Sequence, residues 1–345
     1  MMRRILSYRP DAFITALIAT IVVASFLPCR GVGQQIFEWL STAAIALLFF
    51  LQGARLPRET VVAGITHWRL HLTILASTFI FFPIVGVIFH TAFPNLLSRP
   101  LWLGILFVCT LPSTVQSSIA FTSIGRGNVP AAICSATASN IFGILITPLL
   151  VGVVLRLHGG ISASSIWKIV AELLVPFCLG QLLRPFIGAW AQRNKKMLSL
   201  TDRGSVLLVV YTAFSEAVVQ GLWHQIPLEG LAMILVVDAV ILAIVLLATT
   251  YGSRLLGFNH EDEVAIVFCG SKKSLATGVP MAKVLFPSAT VGVTVLPLMI
   301  FHQMQLMVCA VLARRYARRF EQTALADSLD HGPHARPIPR DPAAS

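Results

Sequence analysis

Charged side chains are scarce in this chain, and acidic ones are scarcer still. Asp, Glu, Lys and Arg make up 12% of the 345 residues, and only 15 residues are acidic. Soluble domains carry about 25% charged residues, so the composition excludes an ordinary soluble domain. Hydrophobic residues account for 56% of the chain and fall in continuous runs, without the period-two alternation of membrane-spanning strands. The sequence therefore predicts an all-α integral membrane protein.

Sequence signals for metal, nucleotide and covalent chemistry are also missing. The six cysteines are dispersed, with no CxxC and no Cys/His ligand spacing, so neither a metal site nor a structural disulfide is expected. No GxxxxGK[ST] loop occurs, which argues against ATP-driven work. Ser271, Ser274 and the lysines between them could form a nucleophile–base pair, but adjacent residues on a helical turn rarely reach each other correctly, and no oxyanion-hole pattern is visible. We expect a protein that is not an enzyme and needs no cofactor.

Ten apolar segments have about the length that a spanning helix needs. They are predicted over Asp11–Pro28, Ile36–Gly53, Leu70–His90, Leu101–Ile124, Pro130–Leu157, Ile166–Ile187, Gly204–Trp223, Leu228–Tyr251, Val264–Phe286 and Val291–Ala313. With the N-terminus in the cytoplasm, 19 of the 26 Lys and Arg residues fall on cytoplasmic segments, five on the other side and two within a span. This bias follows the positive-inside rule and predicts a multi-pass plasma-membrane protein with both termini in the cytoplasm.

The net charge of +11 is explained by this topology together with attraction to anionic headgroups. Membrane lipids, and no nucleic acid, are therefore the expected partners. Residues 1–320 are predicted to form a single transmembrane unit. Residues 321–345 are polar and Pro-rich, which predicts a disordered cytoplasmic tail.

Two polar stretches, Leu111–Ser118 (LPSTVQSS) and Cys269–Ser274 (CGSKKS), interrupt otherwise apolar spans. Each lies in the fourth span of a five-span half, and an odd number of spans per half gives the halves opposite orientations. Inverted repeats of this kind place binding sites near the midplane, at broken helices. Pro112 and Gly270 favour such breaks, because Pro lacks an N–H and Gly permits unusual backbone angles. The pattern predicts two inverted five-helix repeats with broken fourth and ninth spans.

Hydroxyl and amide side chains at and near the breaks are candidate ligands. Uncharged, oxygen-rich surroundings suit a desolvated alkali cation, whereas half-helix N-termini suit an anionic group. A Ser/Thr-mediated kink without any ligand is the alternative. The candidates at the breaks and on the fifth and tenth spans are Gln116, Ser117, Ser118, Ser135, Thr137, Asn140, Ser271, Ser274, His302 and Gln305.

Ionisable side chains inside spans are costly and mark candidate functional positions. Lys272 and Lys273 stand in the second break, and Glu216 and Asp238 are their candidate counter-charges. Adjacent residues of a helix diverge by about 100°, so the two lysines are expected to have different environments. A lysine–carboxylate ion pair would be structural, whereas desolvation of these groups would open the way to proton coupling.

Three motifs make the chain similar to a known family. The stretches GRGNVPAAICSATASNIFGILITPLL, GSKKSLATGVPMAKVLFP and FHQMQLMVCAVLARR resemble the bile acid:sodium symporter superfamily. The similarity is to its bacterial branch, which is related to the seventh member of vertebrate solute carrier family 10, and it covers about Arg9 to Arg319. The resemblance implies ten helices, with spans 3–5 and 8–10 forming a core and spans 1, 2, 6 and 7 forming a panel. Spans 4 and 9 would be broken and would cross.

The resemblance also implies a cation site, but with altered residues. In the sodium-coupled members, two sodium ions lie behind the crossover, and the glutamate shared by both sites falls here at Phe268. The residues that follow it become Ser271, Lys272 and Lys273. The resemblance also places ligand positions at Ser117 and Ser118 in the first break and near Thr78 on span 3. On span 5 they fall near Ala132 and Ala136, with Ser135 and Thr137 adjacent. Tyr211 and Glu216 would face the cavity from the panel.

The function that these features predict is secondary transport of a small organic, anionic solute by alternating access. A lysine ammonium in place of the cation would leave transport uncoupled, proton-coupled or coupled in another way, so sodium and proton coupling both stay open. The alternative is a membrane sensor or regulator that binds a ligand on the transporter fold without moving it. Retained ligand binding without uptake would favour that alternative.

Overall fold

The computed structural model describes residues 12–55, 67–156, 163–219, 221 and 228–330. These residues are almost entirely helical and contain no strand, which confirms the all-α prediction. The helices are α1 (Ala12–Phe26), α2 (Val32–Arg55), α3 (Trp68–Ala92, with a π-helical turn at Ser77–Phe81), α4 (Arg99–Thr110), α5 (Gln116–Ile124), α6 (Val129–Arg156), α7 (Ala163–Arg193), α8 (Lys195–Val219), α9 (Leu228–Leu255), α10 (His260–Gly270), α11 (Leu275–Leu285) and α12 (Ser288–Asp330).

Seven of the described helices, α2, α3, α6, α7, α8, α9 and α12, are long and apolar enough to cross a bilayer. The helices α1 and α4 are apolar but shorter. The fourth predicted span is divided between α4 and α5, and the ninth between α10 and α11. The count of ten spans and the inverted repeat stay predictions.

The helices α1, α2, α7 and α8 pack against one another, and we call them the four-helix group. Within it, α2 and α7 approach closely where Gly53 and Gly180 face the opposite backbone. A Cβ at Gly53 would collide with the Phe177 carbonyl oxygen, and one at Gly180 with the Phe50 carbonyl oxygen. Small residues are what allow membrane helices to pack at such distances. These two glycines therefore set the spacing of α2 and α7.

The helices α3–α6 and α9–α12 form the eight-helix group, which contains both broken spans. Its helix α10 is held firmly at its N-terminus. The Asn259 side chain accepts a hydrogen bond from the Asp262 N–H at 2.8 Å, which caps the helix. The Glu263 carboxylate accepts bonds from Arg254 at 2.8 and 3.0 Å and from the Tyr316 hydroxyl at 2.8 Å. Since Arg254 lies on α9 and Tyr316 on α12, Glu263 ties three helices together.

The last helix is longer than the composition suggested. It continues to Asp330, past the boundary at residue 321 that was predicted for a disordered tail. Residues 314–330 are rich in Ala, Arg and Leu, which are strong helix formers. Low hydropathy after residue 320 therefore marks the end of the apolar span rather than the end of the helix. Residues 331–345 of the predicted tail lie outside the described residues.

Candidate functional site

The first break separates α4 from α5 and covers residues 111–115. Side chains of α6 satisfy much of the backbone that the break frees. The Thr147 hydroxyl donates to the Thr110 carbonyl at 2.9 Å, and the Ser113 N–H donates to the Ser139 hydroxyl at 3.0 Å. The Asn140 amide donates to the Ser113 carbonyl at 2.8 Å. The polar residues of the fifth predicted span thus replace the helical hydrogen bonds that Pro112 interrupts.

The second break separates α10 from α11 and covers residues 271–274. The last carbonyls of α10 accept hydrogen bonds from three serines of other helices and of the first break. Ser118 donates to Phe268 at 2.9 Å, Ser113 to Cys269 at 2.6 Å, and Ser77 to Gly270 at 2.9 Å. The Ser274 N–H in turn donates to the Pro112 carbonyl at 2.9 Å. The two breaks are therefore bonded directly to each other.

Lys273 is fully buried, and its ammonium lies where backbone carbonyls converge. Its Nζ donates to the carbonyls of Thr78 at 2.8 Å, Cys109 at 2.9 Å and Leu111 at 2.7 Å. The ring centroid of Phe82 lies 4.1 Å from the same nitrogen. Three donors meet three acceptors, so the ammonium is fully satisfied without a carboxylate. Two of these carbonyls belong to the C-terminal end of α4, where the helix dipole favours a cation.

The backbone of Lys273 is fixed as firmly as its side chain. The Gln305 amide accepts from the Lys273 N–H at 2.8 Å and donates to its carbonyl, also at 2.8 Å. Gln305 is in hydrogen-bond contact with His302 Nδ1 at 2.9 Å. The predicted pair on the tenth span therefore does share a helix face, and it holds the second break in place.

Lys272 has a different environment, as predicted, although both lysines lie in the break and not on a helical turn. It is also fully buried, but its Nζ makes no hydrogen bond with the described residues. The nitrogen lies 4.2 Å from the ring centroid of Phe121 and 5.4 Å from that of Phe268. Aromatic faces attract an ammonium through their quadrupole, so cation–π contact replaces hydrogen bonding here.

The expected ion pairs between these lysines and Asp238 or Glu216 are not formed among the described residues. Asp238 on α9 is fully buried, and neither of its carboxylate oxygens has a hydrogen-bond partner there. The physical reason is that other groups already compensate both lysines. Carbonyls surround the Lys273 ammonium, and aromatic rings surround that of Lys272.

A cavity of about 550 Å³ lies between the four-helix group and the two breaks, and we call it the central cavity. The first residues of α5 and α11 border it, so two helix N-termini face the same space. Asn140 joins these two edges, because it donates to the Ser113 carbonyl and accepts from the Thr277 hydroxyl at 2.8 Å. Six of the predicted site residues line the cavity, namely Gln116, Ser117, Thr137, Asn140, Ser274 and His302.

The other predicted site residues lie elsewhere. Tyr211 and Glu216 do not line the central cavity, and the Tyr211 hydroxyl instead donates to the Leu27 carbonyl at 2.9 Å. Ser135 forms a hydrogen bond with His71 Nδ1 at 2.6 Å, and the Ser271 hydroxyl donates to the Val267 carbonyl at 2.6 Å. The residues that are fully buried outside the cavity lining are Thr78, Ser118, Ser135, Asp238, Ser271, Lys272, Lys273 and Gln305.

The four-helix group contributes charged residues to the cavity that the sequence analysis missed. Arg55 and Asp202 form a two-point ion pair with distances of 2.6 and 3.3 Å. The Arg203 guanidinium lies 5.5 Å from the ring centroid of Phe13. All four residues line the cavity, although the arginines were assigned only to cytoplasmic segments. Asp202, the one acidic residue between Gly188 and Arg203, was the one available signal.

A bundle of apolar helices in which two interrupted helices meet at a cavity is typical of the class of secondary membrane transporters. Comparison with known proteins identifies the group within that class. The chain belongs to the SBF-like CPA transporter family, whose model matches residues 11–318. The family resemblance seen in the sequence motifs is therefore confirmed, and the protein is a multi-pass membrane protein.

Relatives from bacteria and vertebrates align over nearly the whole chain. The chain is 56% identical over 313 residues to the Escherichia coli K12 protein named "Putative symporter YfeH", covering 90% of this chain and 94% of that protein. It is 58% identical over 321 residues to the uncharacterized protein PA2026 of Pseudomonas aeruginosa, covering 92% and 96%. It is 29% identical over 322 residues to sodium/bile acid cotransporter 7 of Rattus norvegicus, covering 90% and 94%. The names of the Escherichia coli and Rattus norvegicus relatives describe transport rather than catalysis.

Proposed function

We propose that this protein is a secondary transporter of small organic anions in the bacterial inner membrane. It works by movement of the eight-helix group, as the core, against the four-helix group, as the panel. The observation that carries this proposal is the central cavity, where the N-termini of α5 and α11 converge between the two groups. A site at the meeting point of two broken helices is exposed to one side or the other when one group rocks.

Charge favours an anionic substrate. Helix N-termini carry the positive end of the helix dipole, and both N-termini in the cavity present that end to the solute. Arg203 adds a guanidinium, while the charge of Arg55 is balanced by Asp202. Among the described lining residues, Asp202 carries the only carboxylate, and it is already paired with Arg55. An anionic group would complete this arrangement, and carboxylates are bound well by guanidinium groups.

Shape and polarity limit the rest of the substrate. A volume of about 550 Å³ is within the range of small-molecule sites. Phe13, Ile141 and Phe177 make part of the wall apolar, whereas hydroxyl and amide groups line the side of the breaks. The proposed substrate is thus a small organic acid with an apolar body and one or two anionic groups.

The Lys273 ammonium supports a coupling mechanism different from sodium symport. Three carbonyl oxygens at 2.7–2.9 Å accept hydrogen bonds from the Lys273 side-chain nitrogen, close to both breaks. Phe268 stands at the position carried over from the shared sodium-ligand glutamate of the symporters. We infer that the tethered ammonium replaces a bound sodium ion and stabilises the meeting point of the breaks. Transport by this chain would then proceed without sodium.

Uptake measurements on purified protein in proteoliposomes test the proposal. A panel of radiolabelled monocarboxylic and dicarboxylic acids is offered, together with neutral and cationic analogues of similar size. Saturable uptake of an acid, and of none of its neutral or cationic analogues, is expected. Binding of an acid without any uptake would instead support a sensor on the transporter fold.

Two matched variants test whether the acid binds at Arg203. Arg203→Gln removes the guanidinium from the cavity, and we expect the KM for the acid to rise about tenfold, at ~1.4 kcal/mol for one charge-assisted contact. Arg193→Gln removes an exposed arginine of α7 that does not line the cavity, and its uptake should match the unmodified protein. Equal KM values for the two variants would remove Arg203 from the site.

A further inference from the structure

A second concave surface, which we call the outer groove, lies between α9 and α12. Its volume is about 800 Å³, and none of its lining residues also lines the central cavity. The walls are apolar over most of their length, with Leu247 56% exposed, Met307 48% and Val311 56%. One end carries three arginines, Arg254, Arg315 and Arg319. In a membrane, an exposed apolar groove with a basic end would face lipid.

The dimensions of the outer groove match one leaflet of a bilayer. From Met307 to Arg319, α12 rises about 18 Å at about 1.5 Å per residue. The hydrocarbon core of a membrane is ~30 Å thick, so one leaflet accounts for ~15 Å of it. The apolar walls therefore reach from near the midplane to the interface, where the arginines lie. Tyr251, which is 58% exposed, lines the same end, as is typical of aromatic residues at the headgroup level.

The basic end is suited to a phosphate group. Arg315 and Arg319 are four residues apart on one helix face, and both are exposed. Arg254 is bonded to Glu263, which orients its guanidinium on the facing helix. Guanidinium groups bind phosphate oxygens in two-point geometry. By the positive-inside rule this end belongs to the cytoplasmic leaflet, whose lipids include anionic headgroups.

We propose that the outer groove binds an anionic phospholipid of the cytoplasmic leaflet. Its phosphate lies at Arg315 and Arg319, and an acyl chain lies along Leu247, Met307 and Val311. A second copy of this chain suits the groove less well, because a two-fold contact would bring two sets of arginines together. The proposal is independent of the identity of the transported solute.

The test measures lipid retention by the full chain purified in a neutral detergent. Dioleoylphosphatidylglycerol or dioleoylphosphatidylcholine is added, and bound lipid is counted by native mass spectrometry alongside the apparent Tm. We expect retention of phosphatidylglycerol with a raised Tm, and no comparable effect of phosphatidylcholine. Replacing both groove arginines, Arg315→Gln with Arg319→Gln, should weaken phosphatidylglycerol binding about 30-fold, at the usual contribution of each arginine.

The matched control removes the same charge from the same two turns of α12. Arg314→Gln with Arg318→Gln changes arginines that do not line the groove, so phosphatidylglycerol should still be retained. Val311→Trp fills the apolar wall without changing charge and should also reduce retention. The proposal would be overturned if both arginine double variants lost phosphatidylglycerol equally, or if the protein retained the two lipids equally. Unchanged phosphatidylglycerol retention by Val311→Trp, or the same Tm shift with glycerol 3-phosphate, would overturn it as well.

Discussion

Lys272 and Lys273 are adjacent and equally buried, yet the protein compensates their charges in different ways. Lys273 donates three hydrogen bonds to backbone carbonyls, whereas Lys272 lies against the rings of Phe121 and Phe268. Removing a donor from buried acceptors leaves each of them unsatisfied, but removing an ammonium from an aromatic pocket leaves an apolar space. The two lysines should therefore differ sharply in their importance for folding.

Lys273→Met should destabilise the protein far more than Lys272→Met. Loss of the Lys273 ammonium leaves three buried carbonyls without donors, at ~1–3 kcal/mol each, so a destabilisation of ~3 kcal/mol or more is expected. Lys272→Met loses a cation–π contact but also the desolvation of a charge, and should change stability by less than ~1 kcal/mol. Thermal unfolding of the detergent-solubilised variants measures both. Similar losses of Tm in the two variants would show that the Lys273 hydrogen bonds contribute no more stability than the Lys272 cation–π contacts.

Sequence reasoning found both lysines but not their surroundings. Composition alone identified a charge inside a span, and the spacing predicted that the two side chains would diverge. The carbonyls that receive Lys273 come from α3 and from the end of α4, more than 160 residues away in sequence. No local pattern encodes such a contact. Carboxylates were therefore the natural but wrong choice of partner.

Among the helices, the breaks were the most predictable elements. Pro112 and Gly270 disfavour continuous helix, and the hydroxyl-rich residues beside them showed where freed backbone would be satisfied. The π-helical turn at Ser77–Phe81 was not predicted. The turn contains Thr78, whose carbonyl accepts a hydrogen bond from the Lys273 side chain. A contact with a distant part of the chain therefore accompanies the irregular turn. Turns of this kind are often found at functional sites.

Two glycine substitutions test the close approach of α2 and α7. In Gly180→Ala the new methyl group would meet the backbone of Phe50, so the two helices must separate and stability should fall by ~1–3 kcal/mol, as in other overpacked contacts. Gly204→Ala on α8 meets nothing within 4 Å and should stabilise the protein by ~0.5–1 kcal/mol through helix propensity. Apparent Tm values report both changes. A neutral Gly180→Ala variant would contradict the tight crossing.

At the scale of the whole molecule, the central cavity depends on how the two helix groups are placed together. The breaks supply one wall, and sequence patterns identified that wall. The opposite wall, with Phe13, Arg55 and Arg203, comes from helices whose apolar patterns only predict spanning. The positive-inside bias already accounted for these arginines at the cytoplasmic surface, so nothing in the sequence indicated that they also line the cavity. Contacts between groups are set by packing over long sequence separations, which hydropathy cannot reveal.

One ion pair joins the two groups on the side that the predicted topology places outside. Lys283 on α11 lies 3.7 Å from the Glu38 carboxylate on α2, and its side chain is only 8% exposed. The central cavity lies on the other side, near arginines expected at the cytoplasmic surface. If the groups move as proposed, opening to the outside must break this pair. The pair would then favour the conformation described here.

The corresponding prediction uses Glu38→Gln and the charge exchange Glu38→Lys with Lys283→Glu. Ser117→Cys in the cavity, in a background with Cys29 and Cys178 replaced by Ser, reports outside access to a membrane-impermeant maleimide. Glu38→Gln should increase the labelling rate severalfold, since exposed or partly exposed ion pairs contribute ~0.2–1 kcal/mol. The exchanged pair should restore slow labelling. Unchanged labelling in Glu38→Gln would show that the pair does not hold the outer side closed.

We propose that organic-anion transport by this chain needs no sodium, because the Lys273 ammonium occupies the position of the cation. The most direct test is uptake of the best acid from the panel into proteoliposomes with an imposed sodium gradient, compared with an equal choline gradient. We predict the same initial rate under both gradients. A rate several times higher with sodium would contradict the claim and restore a sodium site to this protein.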